Sequence, residues 1–347
     1  MIMYLKSSLS LSLIDGCNIG CRYCILSALK NRDKVIIENK SYEEAVEELL
    51  HNRYYTKQVP LTINNISDPF ATPMAFQNTL GILSELEKRK VENPIIVITK
   101  GLLSQSEVQI LANIRLKNFF VFYSFSGLAG LLEPLNEEKQ LETIKSLSSL
   151  DNLTLVHYWR PIIQDVNTED KVIKRIAAIS NKYFAGVIIS GLRMNSFIRE
   201  QFQNAHLPIS IEYDADHKII TNETYGRIKE ILMQVGTTAI FSKTSCALSY
   251  FMHTEDYNGY MHKNNFCNNN CENYSICHRN AKAPLKEMVD SVLKHIERKV
   301  PYDIGDHVLH LNGVFTQEEL TYVRHSLHFP IGADTVLKSN NNDILSK

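Results

Sequence analysis

The sequence alternates short β-rich runs with amphipathic helical segments from its start to residue 204. The β-rich runs cover residues 5–14, 60–66, 94–99, 118–124, 153–160 and 186–190. The helical segments cover residues 41–52, 74–90, 104–113, 136–150, 168–181 and 195–204. Because a strand followed by a helical crossover returns the chain to a parallel neighbour, this pattern predicts a mostly parallel sheet covered by helices. Six repeats are fewer than the eight of a closed barrel, so we expect an α/β fold with a partial (β/α)6 barrel.

Residues at the predicted helix starts support this periodicity. Ser41 stands three residues before Glu44, which is the spacing of a capping box. Thr168 precedes acidic residues and is a candidate N-cap for the fifth helix. The local signals and the apolar periodicity therefore predict the same helices.

The alternation fades after residue 205. Beyond it we predict a helix at 222–234, a strand near 237–242, a helix at 284–298 and, after Pro301, a strand, a helix capped by Thr316 and a second strand. We therefore divide the chain into a partial barrel at 1–205, a smaller α+β extension containing cysteines at 206–300, and a cap or recognition segment at 301–347.

Length, charge and hydropathy limit the class of protein. The chain has 347 residues, 44% of them hydrophobic, which is enough for a sizeable core. Its 37 Lys and Arg residues nearly balance its 38 Asp and Glu residues, which excludes an overall basic field for nucleic acid but leaves a local basic groove open. No run approaches the ~18 apolar residues of a membrane span, and the N-terminus lacks the apolar core of a signal peptide. We therefore expect a cytoplasmic protein with no membrane partner.

Cys17, Cys21 and Cys24 form a C-x3-C-x2-C loop directly after the first predicted strand. In a cytoplasmic chain, seven cysteines favour metal ligands or catalytic thiols over disulfides. Three thiolates at this spacing can bind three irons of a [4Fe-4S] cube and leave the fourth iron open to a small molecule. A zinc site or three incidental thiols are the alternatives, although structural zinc would need a fourth Cys or His and the histidines are distant.

With Tyr23 just before the last cysteine, this motif resembles that of the radical S-adenosylmethionine (SAM) superfamily. The resemblance continues through the βα repeats and implies a TIM-like partial barrel with SAM on the open iron, near Tyr23. It also implies that SAM is cleaved to methionine and a 5′-deoxyadenosyl radical, which abstracts hydrogen from a small-molecule, nucleoside or peptide substrate. A reducing partner such as flavodoxin or ferredoxin would supply the electron.

The loop after the second predicted strand contains the run SDPF at residues 67–70, and Thr99 and Lys100 end the third strand. The superfamily typically has a glycine-rich acidic motif after the second strand, and its glycines are absent here. Both elements instead resemble the spore photoproduct lyase branch of the superfamily, which implies that Asp68 contacts the amino group of SAM. A turn formed by an ordinary Asp-Pro pair is the alternative.

Three further residues at predicted strand ends are candidates for cofactor binding. Ser124 is similar in place to residues that contact the carboxylate or ribose of SAM, or it is an ordinary strand serine. Arg160 could form a charge-assisted pair with that carboxylate, or a salt bridge to a helix. Gly191 resembles part of the family's G-x-I-x-G element and would permit a close approach to adenine.

The remaining cysteines are Cys246, Cys267, Cys271 and Cys277, and four thiolates are the number that fills a second [4Fe-4S] cube. The last three lie in an Asn-rich loop that a bound metal would help to order. The region partly resembles the auxiliary-cluster extensions of many radical SAM enzymes. Zinc bound by the three loop cysteines with His278 or Cys246 is the alternative.

Cys246 is also a candidate catalytic residue, because it follows the strand predicted near residues 237–242. There it could donate a hydrogen atom to a product radical, as a cysteine does in enzymes similar to spore photoproduct lyase. A cluster ligand and a plain buried thiol are the other interpretations.

Three functions remain open from the sequence. We favour a radical SAM enzyme acting on a small molecule, nucleoside or peptide side chain. Lyase-like repair or modification of nucleic acid is less favoured, because the chain is nearly neutral and its single tryptophan gives no obvious stacking surface. A non-catalytic iron-sulfur scaffold or sensor is the third.

Overall fold

The computed structural model describes residues 1–5, 7–26, 35–262, 267, 271, 273–279 and 282–337. Its strands are β1 (Ile2–Leu5), β2 (Ser8–Leu11), β3 (Ile14–Asp15), β4 (Ile36–Ile37), β5 (Leu61–Ile63), β6 (Ile95–Thr99), β7 (Phe119–Ser124), β8 (Thr154–Ile162), β9 (Gly186–Gly191), β10 (Ile240–Phe241), β11 (Tyr302–Ile304), β12 (Leu309–Thr316) and β13 (Ile331–Leu337). Its α-helices are α1 (Tyr42–Leu50), α2 (Pro73–Lys88), α3 (Gln105–Leu111), α4 (Glu137–Leu147), α5 (Asp170–Tyr183), α6 (Ser196–Asn204), α7 (Asn222–Gln234), α8 (Thr244–Phe251), α9 (Tyr274–Arg279), α10 (Lys286–His295) and α11 (Gln317–Leu327). Within these described ranges, no helix is both long and apolar enough to cross a bilayer.

The main sheet confirms the predicted α/β fold with a mostly parallel sheet. Its strand order is β1-β2-β5-β6-β7-β8-β9-β10. Every pair from β2 to β10 is parallel, and only β1 is antiparallel to its neighbour β2. Helical crossovers connect the parallel strands, as the alternation in the sequence predicts.

The first predicted strand, at residues 5–14, was wrong as a single element. β1 and β2 pair antiparallel, with Leu5 opposite Ser8, and the short β3 comes later. Leu and Ser alternate from Ser8 to Leu13, past the end of β2 at Leu11, whereas β1 reads IMYL, so this alternation carries no signal for the reversal between Leu5 and Ser8. The result positions β1 as a cover for the edge of β2.

The predicted helix caps were right in two places and wrong in one. Ser41 forms the capping box with Glu44, and Thr316 forms another with Glu319. The fifth helix instead begins after Glu169, while Thr168 accepts a hydrogen bond from the amide of Asp165. Thr168 lies one residue before the N-cap position. Its hydroxyl accepts a hydrogen bond within the preceding turn and not from the first turn of the helix.

The two faces of the main sheet have different partners. Val121, Trp159 and Ile189 point toward the large core beneath the flanking helices. The alternate positions, including Phe122 and Tyr158, form a second cluster with Ala247 and Leu248 of α8. Because side chains alternate along a strand, the polar residues that end β7, β8 and β9 on this second face extend toward one rim.

Residues beyond 205 contribute to two sheets. β10 pairs with β9, so the main sheet continues past the proposed end of the barrel segment, whose boundaries stay a prediction. β11, β12 and β13 form a separate sheet, against which α11 packs. Residues 338–347 of the predicted terminal segment lie outside the described residues.

Candidate active site

Cys17, Cys21 and Cys24 lie in one loop after β3. Burial raises the pKa of Cys17 to about 12, and Asp68 and the other two thiols add to the effect. Burial likewise raises the pKa of Cys21 to about 11. The thiols are therefore close enough to act on one another electrostatically, and their role as ligands, which would need a bound cation to favour the thiolates, stays a prediction.

Hydrogen bonds fix this cysteine loop to two neighbouring loops. The hydroxyl of Ser67 donates to the carbonyl of Gly16 at 2.5 Å, which ties the loop to the segment after β5. The amide of Arg22 donates to the carbonyl of Leu132 at 2.9 Å, which ties it to the segment after β7. Three loops that follow different strands thus meet at the same end of the sheet.

The donor set of the cysteine loop suits a cluster with one open iron. A [4Fe-4S] cube bonds each thiolate to a separate iron, so three thiols in one loop would hold three irons and leave the fourth without a protein ligand. The chemistry of Cys17, Cys21 and Cys24 therefore fits such a cube.

Asp68 joins the ends of the second and third parallel strands. Its Oδ1 accepts from the hydroxyl of Thr99 at 2.7 Å and from the amide of Phe70 at 2.9 Å, and its Oδ2 accepts from the amide of Lys100 at 2.8 Å. Burial raises the pKa of this carboxyl despite these bonds. A carboxylate has about four acceptor positions, so one is left for the predicted amine contact, which stays a prediction.

A buried polar network next to the cysteine loop was missed by the sequence. Lys100 Nζ lies 2.8 Å from Glu133 Oε1, and the hydroxyl of Tyr23 bonds to both groups. The hydroxyl of Ser126 also donates to Glu133 Oε1, at 2.9 Å. Glu133 Oε2 is buried and has no hydrogen-bond partner in the described part of the chain. Tyr23, predicted as a cofactor neighbour, is thereby held beside Cys21.

Opposite charge, not burial, sets the ionisation of this network. Burial alone would lower the pKa of Lys100, but Glu133 and Cys21 raise it. Burial alone would raise the pKa of Glu133, but Lys100 lowers it. Both groups are therefore charged in the folded protein, and Lys100 carries its positive charge next to the thiol of Cys21.

Ser124 and Arg160 meet at the ends of β7 and β8. The hydroxyl of Ser124 donates to the backbone carbonyl of Arg160 at 3.0 Å. The guanidinium of Arg160 lies 4.4 Å from the ring centroid of Tyr158, and Cys24 and Tyr23 are among the groups that raise its pKa. Arg160 therefore stands on the rim beside the cysteine loop. Its contact with a SAM carboxylate stays a prediction, as does that of Ser124.

Gly191 permits a close approach, but the partner seen is another part of the backbone. A Cβ on Gly191 would lie 1.9 Å from the carbonyl oxygen of Ile219. The neighbouring Leu192 exchanges two backbone hydrogen bonds with Ile219. A predicted contact between Gly191 and adenine is untested by this geometry.

Comparison with known proteins decides the fold. No protein-family model and no curated protein matches the sequence. Spore photoproduct lyase in complex with dinucleoside spore photoproduct matches with a TM-score of 0.52 and 11% identity, over 70% of this chain and 79% of the lyase. A double mutant of that lyase with bound AdoMet (SAM) and the same dinucleoside matches with a TM-score of 0.53 and 10% identity over the same shares. The chain has the fold of spore photoproduct lyase.

The lyase fold accounts for the position of the site. In α/β sheets, ligands bind in the crevice outside the carboxyl ends of the strands, where the βα loops converge. The cysteine loop, Asp68, Ser124 and Arg160 all lie at this end of the sheet. The sequence motif and the fold therefore indicate the same place for chemistry.

Cys246, on α8, is grouped with the second set of cysteines. Burial raises its pKa well above the usual value, and Asp256 and the thiols of Cys267, Cys271 and Cys277 raise it further. Asp256 is only 5% exposed, and its Oδ1 has no hydrogen-bond partner among the residues described. This carboxylate was missed by the sequence because it stands apart from the cysteine motif.

His278 is exposed, and its ring centroid lies 5.2 Å from that of Tyr274. Its predicted role as a zinc ligand is untested, and the four thiols are the set that interacts electrostatically.

Proposed function

We propose that this chain is a radical SAM enzyme with a [4Fe-4S] cluster on Cys17, Cys21 and Cys24. The observation that carries the proposal is the position of these three thiols: one loop, fixed to its neighbours, at the end of a lyase-type sheet where ligands bind. The substrate class we favour is a small molecule, a nucleoside or a peptide side chain. The protein would work in the cytoplasm.

A bound cluster and SAM would supply radical chemistry: one electron from a flavodoxin- or ferredoxin-like partner would cleave SAM to methionine and a 5′-deoxyadenosyl radical, which would take a hydrogen atom from the substrate and leave 5′-deoxyadenosine and a substrate radical. The residues of the chain bind and orient. Asp68 would accept a hydrogen bond from the amino group of SAM. Ser124 and Arg160 would contact the carboxylate or ribose of SAM. Tyr23 and Gly191 would border its nucleoside.

Anaerobic reconstitution tests the proposal. With SAM and dithionite, the wild-type protein should form 5′-deoxyadenosine and methionine, and a Cys17→Ala/Cys21→Ala/Cys24→Ala variant should lose that activity and about four irons. Ser106→Ala, at an exposed helical position, is the control for handling losses. Formation of 5′-deoxyadenosine by the triple variant would refute the proposal. An unchanged cluster spectrum on addition of SAM, with no 5′-deoxyadenosine, would favour the scaffold or sensor.

We further propose that Cys246, Cys267, Cys271 and Cys277 hold a second metal centre, either a [4Fe-4S] cluster or zinc. The four thiols act electrostatically on one another and on the buried carboxyl group of Asp256. If these groups ionise, their negative charges lie close together, and a bound cation would neutralise them. Metal analysis of the triple variant described above tests this directly, because any residual iron or zinc belongs to this set.

Action on nucleic acid is the second candidate function. The solved lyase complexes contain dinucleoside spore photoproduct, and Arg160, Arg193 and Lys218 bring positive charge to the rim of this chain. Retention on single-stranded or duplex DNA, weakening steeply as salt is raised, would support it. Absence of retention at low salt would exclude it.

A further inference from the structure

A group of cations surrounds Tyr158 on the rim, and two of them, Arg193 and Lys218, have no role in the radical chemistry proposed above. Lys218 Nζ donates to the hydroxyl of Tyr158 at 2.6 Å, and Arg160 Nη1 donates to the same oxygen at 3.4 Å. Arg193 follows β9 and acts electrostatically on both Arg160 and Tyr158. Residues from three separate chain segments thus place positive charge around one phenol, because Leu192 and Ile219 pair and bring Arg193 and Lys218 together.

In the described part of the chain, Arg160, Arg193 and Lys218 form no ion pair with Asp or Glu. Asp216 and Asp214 act on Arg193 only from beyond ion-pair distance, and the oxygens of Asp214 accept from the amides of Asp216 and His217 and from the ring of His217. The three cations therefore lack a carboxylate in direct contact.

Two atoms indicate that a ligand belongs here. Arg193 Nε is buried and has no hydrogen-bond partner among the described residues, although a buried guanidinium N–H needs an acceptor. The hydroxyl of Tyr158 receives two donors from cations, and although burial opposes ionisation, Lys218 and Arg160 lower its pKa to about 7. Donors thus exceed acceptors on this part of the rim.

We infer that Arg193 and Lys218, with Tyr158 and Arg160, bind a phosphate group of the substrate beside the SAM site. The inference rests on the proposed function and narrows its substrate class to a phosphate ester such as a nucleotide. Cys24 acts electrostatically on Arg160. The charged groups that act on Arg193 and Lys218 include Arg160 and Tyr158. The phosphate would therefore lie on the side of Arg160 away from the cluster, where a substrate meets SAM.

Charge favours phosphate over carboxylate. Three cations around a phenol carry a net charge of about +2 when the phenol is ionised and +3 when it is neutral. A phosphate monoester carries about −1.5 to −2 near neutral pH and has three acceptor oxygens, whereas a carboxylate carries one charge. The arginine fork also matches the geometry of phosphate oxygens.

Binding of adenosine 5′-monophosphate to the reconstituted protein tests the inference without turnover. The wild-type protein should bind the monophosphate at least about tenfold more tightly than adenosine, and inorganic phosphate should compete better than succinate. Arg193→Gln and Lys218→Gln should each weaken monophosphate binding roughly ten- to hundred-fold, while the dissociation constant of SAM stays within about twofold. Arg193→Lys should recover part of the loss.

Controls separate this inference from misfolding and from the proposed function. Lys174→Gln, an exposed lysine of α5, should leave monophosphate binding unchanged, and thermal unfolding should show that every variant is folded. Equal affinity for adenosine and its monophosphate, or loss of SAM binding alone in Arg193→Gln, would overturn the inference. If the protein binds the monophosphate but forms no 5′-deoxyadenosine, the phosphate site is upheld and the proposed function is refuted. If it forms 5′-deoxyadenosine but does not prefer the monophosphate, only the phosphate site is refuted.

Discussion

The ammonium of Lys100 and the carboxylate of Glu133, 2.8 Å apart and buried, form an ion pair next to the cysteine loop. Removing one member leaves the other charge buried without its partner, which typically costs about 3–5 kcal/mol. We therefore expect Lys100→Met and Glu133→Gln each to lower the free energy of unfolding by several kcal/mol. Denaturant unfolding of the protein without cofactors measures this loss.

The exposed pair Lys117 and Glu92 provides the matched control. Its charged atoms are 3.3 Å apart, and both side chains are well exposed, so solvent screens their attraction. Lys117→Met should change the free energy of unfolding little. A Lys100→Met variant as stable as Lys117→Met would contradict the account of the buried pair.

The features that the sequence predicted correctly depend on residues close together in the chain. The capping boxes of Ser41 and Thr316 each span four residues. The cysteine motif, whose role as a cluster site stays a prediction, is equally local, with three thiols within eight residues. Helix and strand periodicities are local in the same sense, which is why the parallel sheet could be predicted from them. The likeness of the SDPF run to the lyase branch was local too.

The features that the sequence missed join distant residues. Lys100 and Glu133 are 33 residues apart, and Tyr158 and Lys218 are 60 apart, so no spacing rule connects either pair. Asp256 lies outside the spacing of the cysteine motif and acts on Cys246 in the folded chain. The alternation of Leu and Ser begins at Ser8 and carries no signal for the reversal between β1 and β2. Tertiary packing decides each of these, and a single sequence records it only indirectly.

The Cys246→Ala variant tests whether Cys246 is a metal ligand or a hydrogen donor. Because its thiol is grouped with Cys267, Cys271 and Cys277, we expect Cys246→Ala to lose the metal of the second centre and to keep the cluster on the first loop. Iron, sulfide and zinc analysis after reconstitution measures this. Full metal content with an altered product would instead make Cys246 the donor, and full content with an unchanged product would make it a buried thiol.

Gly191 should tolerate no side chain. A Cβ there would meet the carbonyl oxygen of Ile219 at 1.9 Å, and backbone on both sides is paired, so Gly191→Ala should destabilise the fold by about 1–3 kcal/mol. Gly226, on α7, has nothing within 4 Å of its built Cβ. Gly226→Ala should stabilise the protein by about 0.5–1 kcal/mol. Thermal unfolding of both variants gives the comparison, and equal shifts would contradict it.

His157 should make the fold sensitive to acid. Its ring is fully buried, with Nε2 2.8 Å from the carbonyl oxygen of Phe125 and Nδ1 2.7 Å from the hydroxyl of Ser180. Burial lowers its pKa from 6.5 to about 4. Between these values the unfolded chain binds a proton that the folded chain does not, so the free energy of unfolding falls as pH falls, by about 3 kcal/mol in total.

A His157→Gln variant isolates this contribution, because its amide can still donate to Phe125 but does not titrate. Denaturant unfolding at several pH values between 6.5 and about 4 should give a shallower loss of stability for the variant than for the wild type. Lys174→Gln, at an exposed position of α5, is the control for a surface substitution. If His157→Gln keeps the wild-type slope, the imidazole is protonated in the folded protein, and burial is not what sets its charge.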